Sequence, residues 1–183
     1  MNKPILVVSD IHGSLSGANL VMEARKIHDP AYVLCLGDVL YHGPRNDLPQ
    51  DYAPKKVIEI MNSISHEIVA VRGNCDAEVD QMVLRFPLTA DYNILHEFGQ
   101  FIFATHGHVY AKDHLPDLPN NAVFLQGHTH VFEAYEASGI LILNPGSVSL
   151  PKQGNPKTYG LLDESGFQVF DEQHNFCLRK DYL

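Results

Sequence analysis

Five times along this chain a short apolar run stops abruptly at Asp, His or Asn. Ile5 to Val8 leads into Ser9-Asp10-Ile11-His12-Gly13, and Tyr32 to Leu36 into Gly37-Asp38. Ile68 to Val71 leads into Arg72-Gly73-Asn74-Cys75-Asp76, and Phe101 to Ala104 into Thr105-His106-Gly107-His108. Val123 to Leu125 passes through Gln126 into Gly127-His128-Thr129-His130. Runs this short, rich in Val, Ile and Leu, suit strands buried on both faces.

Between the first three runs lie helical patterns. One spans Ser16 to Ile27, with Leu20, Ala24 and Ile27 on one face; the other spans Pro54 to Ser63, with Val57, Ile58 and Met61 inward and Pro54 suited to the first turn. The order is β-α-β-α-β. Beyond about residue 90 the turn signals Phe98-Gly99, Ser138-Gly139, Asn144-Pro145-Gly146 and Glu164-Ser165-Gly166 predict hairpins in place of crossover helices. There is no internal repeat, low-complexity tract or linker-like block, so residues 1–183 read as one domain. The expected fold is α/β: two mixed β-sheets packed face to face with helices on the outer faces, four layers in all.

A chain of 183 residues is long enough to bury roughly 70% of its unfolded surface. Hydrophobic residues at 45% and charged residues at 19% exclude a disordered chain. A net charge of −9 argues against binding a nucleic-acid duplex, whose affinity comes largely from Lys and Arg on phosphates. A small anion held by a bound dication remains compatible, because the ion inverts the local electrostatics. The three cysteines, Cys35, Cys75 and Cys177, form no C-x-x-C pair and resemble neither a disulfide framework nor a thiolate zinc site. Ile5 to Val8 is too short for a signal peptide core or a membrane span. The expectation is a cytoplasmic protein with no membrane partner, alone or as a homo-oligomer.

In open α/β sheets, ligands bind beyond the carboxyl ends of the strands. Turn chemistry accounts for about half of the Asp and Asn endings. It does not account for His12, His106, His128 and His130, each within one or two residues of a glycine. Imidazole and carboxylate together are ligands for Zn2+, Mn2+ and Fe2+. Asp10 and His12 lie two apart, as do His128 and His130, so in extended backbone each pair would point to one side. With Asp38, Asn74 and His106 the donors number seven, too many for one tetrahedral ion and suited to two ions sharing a carboxylate.

These blocks resemble the calcineurin-like metallophosphoesterases, whose motifs read D-x-H, G-D, G-N-x-[DE], H and G-H-x-H in this order. The likeness covers residues 10 to 130, extends into Asn144-Pro145-Gly146-Ser147, and is strongest to the small bacterial YfcE-type phosphodiesterases, which share Gly73-Asn74-Cys75-Asp76. The resemblance implies that Asp10, His12, Asp38 and His130 hold one metal, and Asp38, Asn74, His106 and His128 a second. Asp38 is then the bridge. It implies a small phosphodiester as substrate, a metal-bridging hydroxide as nucleophile, and Mn2+ as the favoured ion, with Zn2+, Fe2+, Co2+ or Ni2+ as alternatives.

Cys75 occupies the position where larger members of the family carry a proton-donating histidine. A thiol is a poorer proton relay at neutral pH than an imidazole. His42 and His108, in loops adjoining ligands, are the nearest candidates for that role, and Cys75 equally suits a small space-filling side chain. Arg45 and Arg72 could clamp substrate oxygens, though Arg72 equally suits a structural ion pair. The long segment from Gly43 to Pro54 is a candidate lid or an ordinary excursion. His28, His66, His96, His114 and His174 read as solvated surface or loop residues. Two further functions fit the same resemblance: a non-catalytic protein-interaction scaffold, as in a eukaryotic retromer subunit of this small fold, and a phosphomonoesterase.

Overall fold

The computed structural model describes residues 2–183. In chain order the elements are β1 (Ile5–Val8), α1 (Leu15–His28), β2 (Tyr32–Cys35), α2 (Pro54–Ser63), β3 (Ile68–Ala70), α3 (Glu78–Gln81), β4 (Tyr92–Glu97), β5 (Gln100–Thr105), β6 (Val123–Leu125), β7 (Phe132–Ala137), β8 (Ile140–Pro145), β9 (Thr158–Asp163), β10 (Gly166–Asp171) and β11 (Phe176–Lys180). They form two mixed sheets, ordered β11-β10-β9-β1-β2-β3 and β4-β5-β6-β8-β7. β1, β2 and β3 are parallel, as are β5, β6 and β8, so both parallel sets direct their carboxyl ends toward loops that carry Asp, Asn or His.

Alternation along the strands separates the core into layers. Ile5 and Val7 of β1, and Leu34 on β2, face the second sheet, where they meet Ile102, Val123, Leu125, Leu141 and Leu143. Leu6, Val8, Val33 and Cys35 face the other way, against Leu20, Val21 and Ala24 of α1 and Val57 and Met61 of α2. Both sides of β1 are sealed from water, which is why its sequence is uniformly apolar.

Helix α1 starts where Ser14 accepts a hydrogen bond from the Gly17 N–H, and stops at Asp29 in the left-handed region. Its buried stripe is centred on Gly17, Val21 and Ala24. Ile27 lies at the edge of that stripe and is 54% exposed, so the expectation of an inward Ile27 is not met.

Three of the four expected turns close hairpins, β4-β5, β7-β8 and β9-β10. Asn144-Pro145-Gly146 does not. Pro145 ends β8 opposite Phe132, and the chain then crosses to the first sheet as β9. Gly146 lets this crossover pass Thr158: a Cβ there would lie 2.2 Å from the Thr158 Oγ1. Helices cover the outer face of the first sheet, as expected. On the outer face of the second, Phe103, Phe124, Ile140 and Ile142 are covered by Tyr110, Leu115 and Leu118 of an irregular segment. Pro116 and Pro119 oppose a helix there.

His28 and His174 are half-buried, His174 in the loop between β10 and β11. Their rings bracket the hydroxyl of the fully buried Tyr159, at 2.9 and 3.0 Å. His66, His96 and His114 are exposed, as expected.

Candidate metal centre

The strand ends deliver the expected donors by a route that strand alternation did not anticipate. Asp10, His12, Asp38, His128 and His130 all have positive φ, between 50° and 66°. Non-glycine residues rarely adopt this conformation, and where they do the surrounding fold must hold them. The pairs Asp10/His12 and His128/His130 therefore converge through left-handed turns, not through an extended segment. Asn74 and His106, after β3 and β5, reach the same region without a left-handed φ.

Side chains from the two sheets meet around Asp38. On one side, His130 Nε2 lies 3.2 Å and His12 Nε2 3.5 Å from Asp10 Oδ1, and the two imidazole nitrogens lie 3.2 Å apart. On the other, His106 Nε2 lies 3.4 Å from Asp38 Oδ2, 3.1 Å from Asn74 Oδ1 and 3.2 Å from His128 Nδ1. Asp38 Oδ2 is 3.7 Å from His12 Nε2 and so reaches both groups.

The protonation pattern of these histidines is set by the main chain. Nδ1 of His12 faces the Tyr41 carbonyl at 2.7 Å, that of His106 the Leu36 carbonyl at 2.6 Å, and that of His130 the Leu150 carbonyl at 2.5 Å. A carbonyl only accepts, so each Nδ1 carries hydrogen and each neutral ring turns an Nε2 lone pair inward. His12 and His130 thus oppose two lone pairs at 3.2 Å, beside an Asp10 Oδ1 that is buried with no hydrogen-bond partner. Such an arrangement repels itself unless a proton or a metal cation sits within it. The donor set therefore fits a divalent metal.

Charge at the site points the same way. Burial opposes ionisation of Asp10, yet His12 and His130 outweigh it and hold the carboxyl well below its ordinary range. Burial likewise opposes protonation of His106, but Asp38 and Asp10 raise it to about 9. His128 is pushed down to about 4 by burial and by His106. Protons and a metal compete for the same nitrogens.

Asp76, the acidic position of the G-N-x-[DE] motif, was given no role from the sequence. Its buried carboxylate accepts the N–H of Asp38 at 2.7 Å, of Val39 at 2.8 Å and of Gly73 at 2.7 Å, joining the loop after β2 to the loop after β3. Gly73 lies so close to Asp38 that a Cβ would stand 2.0 Å from the carboxylate Oδ1, which also accepts the Cys75 N–H. Ser147 and Ser149, from the crossover after β8, both donate to the Asp10 carbonyl and hold the first left-handed turn. The sequence signals for these supports were the G-N-x-[DE] motif, which contains Gly73 and Asp76, and the Asn144-Pro145-Gly146-Ser147 block; Ser149 had none.

A cavity of about 200 Å3 opens over the centre, lined by Asp38, Asn74, Cys75, His128 and His130 on the floor, Gly43 to Asn46 on one wall and Lys152 on another. Arg45 is in this wall, whereas Arg72 pairs with Asp91 at 2.6 Å. The start of the 43–54 segment therefore forms part of the cavity. His42 packs edge-on against Tyr41 and Tyr52, and His108 against His106; neither lines the cavity. The Cys75 thiol is pushed up to about 12 by burial and by Asp38, so it stays protonated.

The sequence profile of the calcineurin-like phosphoesterase superfamily domain matches residues 4–166. The chain belongs to this superfamily. Membership implies a divalent-metal cofactor, in agreement with the donor set. The chain is 48% identical over 165 residues, 90% of each sequence, to the protein named Phosphodiesterase YfcE of Escherichia coli K12. The solved structure of the Escherichia coli phosphoesterase Yfce superposes with a TM-score of 0.95 at 44% identity, covering 98% of this chain and all of that one. At 19% identity the fold extends to Vps29 of Entamoeba histolytica complexed with zinc, TM-score 0.59, covering 97% of this chain and 98% of that one. Among the described residues no helix is long and apolar enough to cross a membrane.

Proposed function

We propose that this chain is a phosphodiesterase acting on small diesters at a binuclear divalent-metal centre. Asp10, His12, Asp38 and His130 would hold one ion, and Asp38, Asn74, His106 and His128 the other. One observation carries the reading: two groups of inward-facing nitrogen and oxygen donors, their histidine tautomers fixed by remote carbonyls, share Asp38 between them. The name of the 48% identical relative supports the diester preference.

Dications held by these two donor groups would supply an acidified water and neutralise phosphoryl charge. The chain supplies orientation. Asp38 spans both groups, Asp76 and Gly73 fix Asp38, and Asn74 contributes a neutral oxygen that limits negative charge beside an anionic substrate. Cys75 leaves leaving-group protonation weak, which favours diesters with acidic leaving groups over alkyl esters. Mn2+ is the favoured ion; N/O donor sets also take Zn2+, Fe2+, Co2+ and Ni2+. The reading includes one domain working in the cytoplasm, where its three free cysteines stay reduced, alone or as a homo-oligomer.

The test is an assay matrix. Metal-stripped protein refilled with each ion is offered aryl diesters, aryl monoesters and 3′,5′-cyclic nucleotides, and the expected result is metal-restored turnover with the aryl diesters ahead. Preference for monoesters would replace the reading with a phosphomonoesterase. A refilled protein inert to every ester would replace it with the scaffold.

A further inference from the structure

We propose that the preferred substrates are diphosphate diesters, in which the scissile phosphorus is joined through oxygen to a second phosphate held by Arg45 and Lys152. This rests on the phosphodiesterase reading and names its substrate class.

The first observation is the placement of two cations. Among the described residues six of the thirteen basic side chains form ion pairs, among them Arg72 with Asp91 and Lys112 with Glu133, and of the seven that do not, Arg45 and Lys152 line the cavity. Both line the same cavity, and neither side chain has an ion-pair or hydrogen-bond partner among the described residues. Their positions are tied to the metal ligands. Lys152 donates its N–H to the His130 carbonyl, two residues after Leu150 accepts the His130 Nδ1. Arg45 lies in the turn that begins where Tyr41 accepts the His12 Nδ1, and the Asn46 amide donates back to the His42 carbonyl to close that turn. The segments that fix the histidine tautomers thus also present the two cations. Asp38, already committed to the centre, is the only acid in the cavity wall.

The second observation concerns size. About 200 Å3 accommodates the reacting phosphoryl group and little more than a neighbour of similar size. An anion reached by both Arg45 and Lys152 in this cavity lies close to a phosphorus held over the centre, and a guanidinium fork together with an ammonium suits a phosphate.

The third concerns the leaving group. No histidine outside the ligand set lines the cavity, and position 75 is a thiol. An alkoxide would leave slowly without a proton donor. A phosphate monoester, with a second pKa of about 6, leaves as an anion that needs none. Water adds to one phosphorus, the bridging P–O bond breaks with its electron pair leaving on the second phosphate, and two phosphate monoesters and the released protons result. No co-substrate is consumed.

The experiment compares the metal-loaded protein with the Arg45→Gln/Lys152→Gln double variant on two substrates, P1,P2-di(adenosine-5′) diphosphate and bis(p-nitrophenyl) phosphate. Expected are conversion of the first to AMP and, in the variant, a loss of kcat/KM at least about tenfold larger on the diphosphate than on the aryl diester. Calorimetric binding of methylenediphosphonate and methylphosphonate gives a readout independent of turnover. The diphosphonate should be preferred more strongly, by at least about tenfold, in the native protein than in the variant, whose unchanged ligand set controls for metal chelation. Cleavage of the aryl diester without cleavage of the diphosphate would overturn the proposal, as would equal losses on both. If no ester is cleaved, the phosphodiesterase reading fails, and equal phosphonate preferences in the two proteins would remove the diphosphate subsite as well.

Discussion

Replacing Asp76 by Asn separates the support of the metal centre from the stability of the fold. The carboxylate takes two N–H groups on Oδ2, from Asp38 and Gly73, and one on Oδ1, from Val39. An amide oxygen can keep the first two as neutral bonds, but its NH2 then faces the buried Val39 N–H, which is left without an acceptor at a cost of about 1–3 kcal/mol. Against this stands the cost of a buried charge. Burial, with Asp38 nearby, raises the carboxyl from 3.8 to about 6 even with its three N–H partners in place, so ionising it at neutral pH costs about 3 kcal/mol that Asn does not incur. The two are of similar size, and the metal-free variant should melt within about 2–4 °C of the parent.

Metal binding has no such compensation. Asp38 is held at φ 57° between the two N–H groups that Asp76 engages, and loss of the Val39 contact releases that turn. Removing such outer support typically costs about 10–100-fold in metal affinity, the expected result by calorimetric titration with Mn2+. The pH profile gives an independent sign. Because the folded state keeps this proton at higher pH than the unfolded chain, its contribution to stability is present below pH 4 and is lost as pH rises through about 6. The metal-free parent should show that loss in urea melts between pH 4 and 7, and Asp76→Asn should not. Metal affinity within twofold of the parent would refute the clamp, and a collapse of the metal-free fold would show it to be structural.

Asp38→Asn should reduce the number of bound ions and lower turnover by orders of magnitude, measured by metal analysis and diester assay; two tightly held ions with normal activity would exclude the bridge. Chelation should lower activity and melting temperature together, by about RT ln(1 + [M]/Kd) in stability, read by calorimetry before and after refilling. Gly73→Ala should disrupt the centre, since its Cβ would stand 2.0 Å from Asp38 Oδ1 and 2.4 Å from the Asp38 nitrogen, and retention of both ions would contradict that geometry. Cys75→Ser should be nearly neutral, whereas Cys75→His should raise alkyl-diester turnover about tenfold and leave nitrophenyl diesters little changed, in kcat/KM across a graded leaving-group series. The space on the Gly43 side of Cys75 is closed, since a Cβ on Gly43 would lie 2.7 Å from its sulfur, so the imidazole must project into the cavity. A dead Cys75→Ser protein with its metals in place would mean that the thiol takes part in the chemistry.

The residues of the centre were legible in the sequence because each of five buried strands announces its end by a change from apolar to polar residues. A strand sealed on both faces cannot continue into Asp, His or Asn, so the boundary and the donor appear together at Asp10, Asp38, Asn74, His106 and His128. The hairpins at Phe98-Gly99, Ser138-Gly139 and Glu164-Ser165 were legible for a similar reason, since their backbone demands particular residues. Tertiary structure decided what is carried by the main chain. The carbonyls of Leu36, Tyr41 and Leu150 fix three histidine tautomers, and any residue could supply them. The left-handed φ at five candidate ligand positions is supported by contacts such as Ser147 and Ser149 on the Asp10 carbonyl, from residues nearly 140 positions away. Lys152 reached the cavity only because the crossover after Pro145 folds back onto His130. Side-chain chemistry is written residue by residue and can be read along the chain. The placement of a carbonyl or of a distant cation depends on which sheets pack together, and that is settled only when the whole core forms.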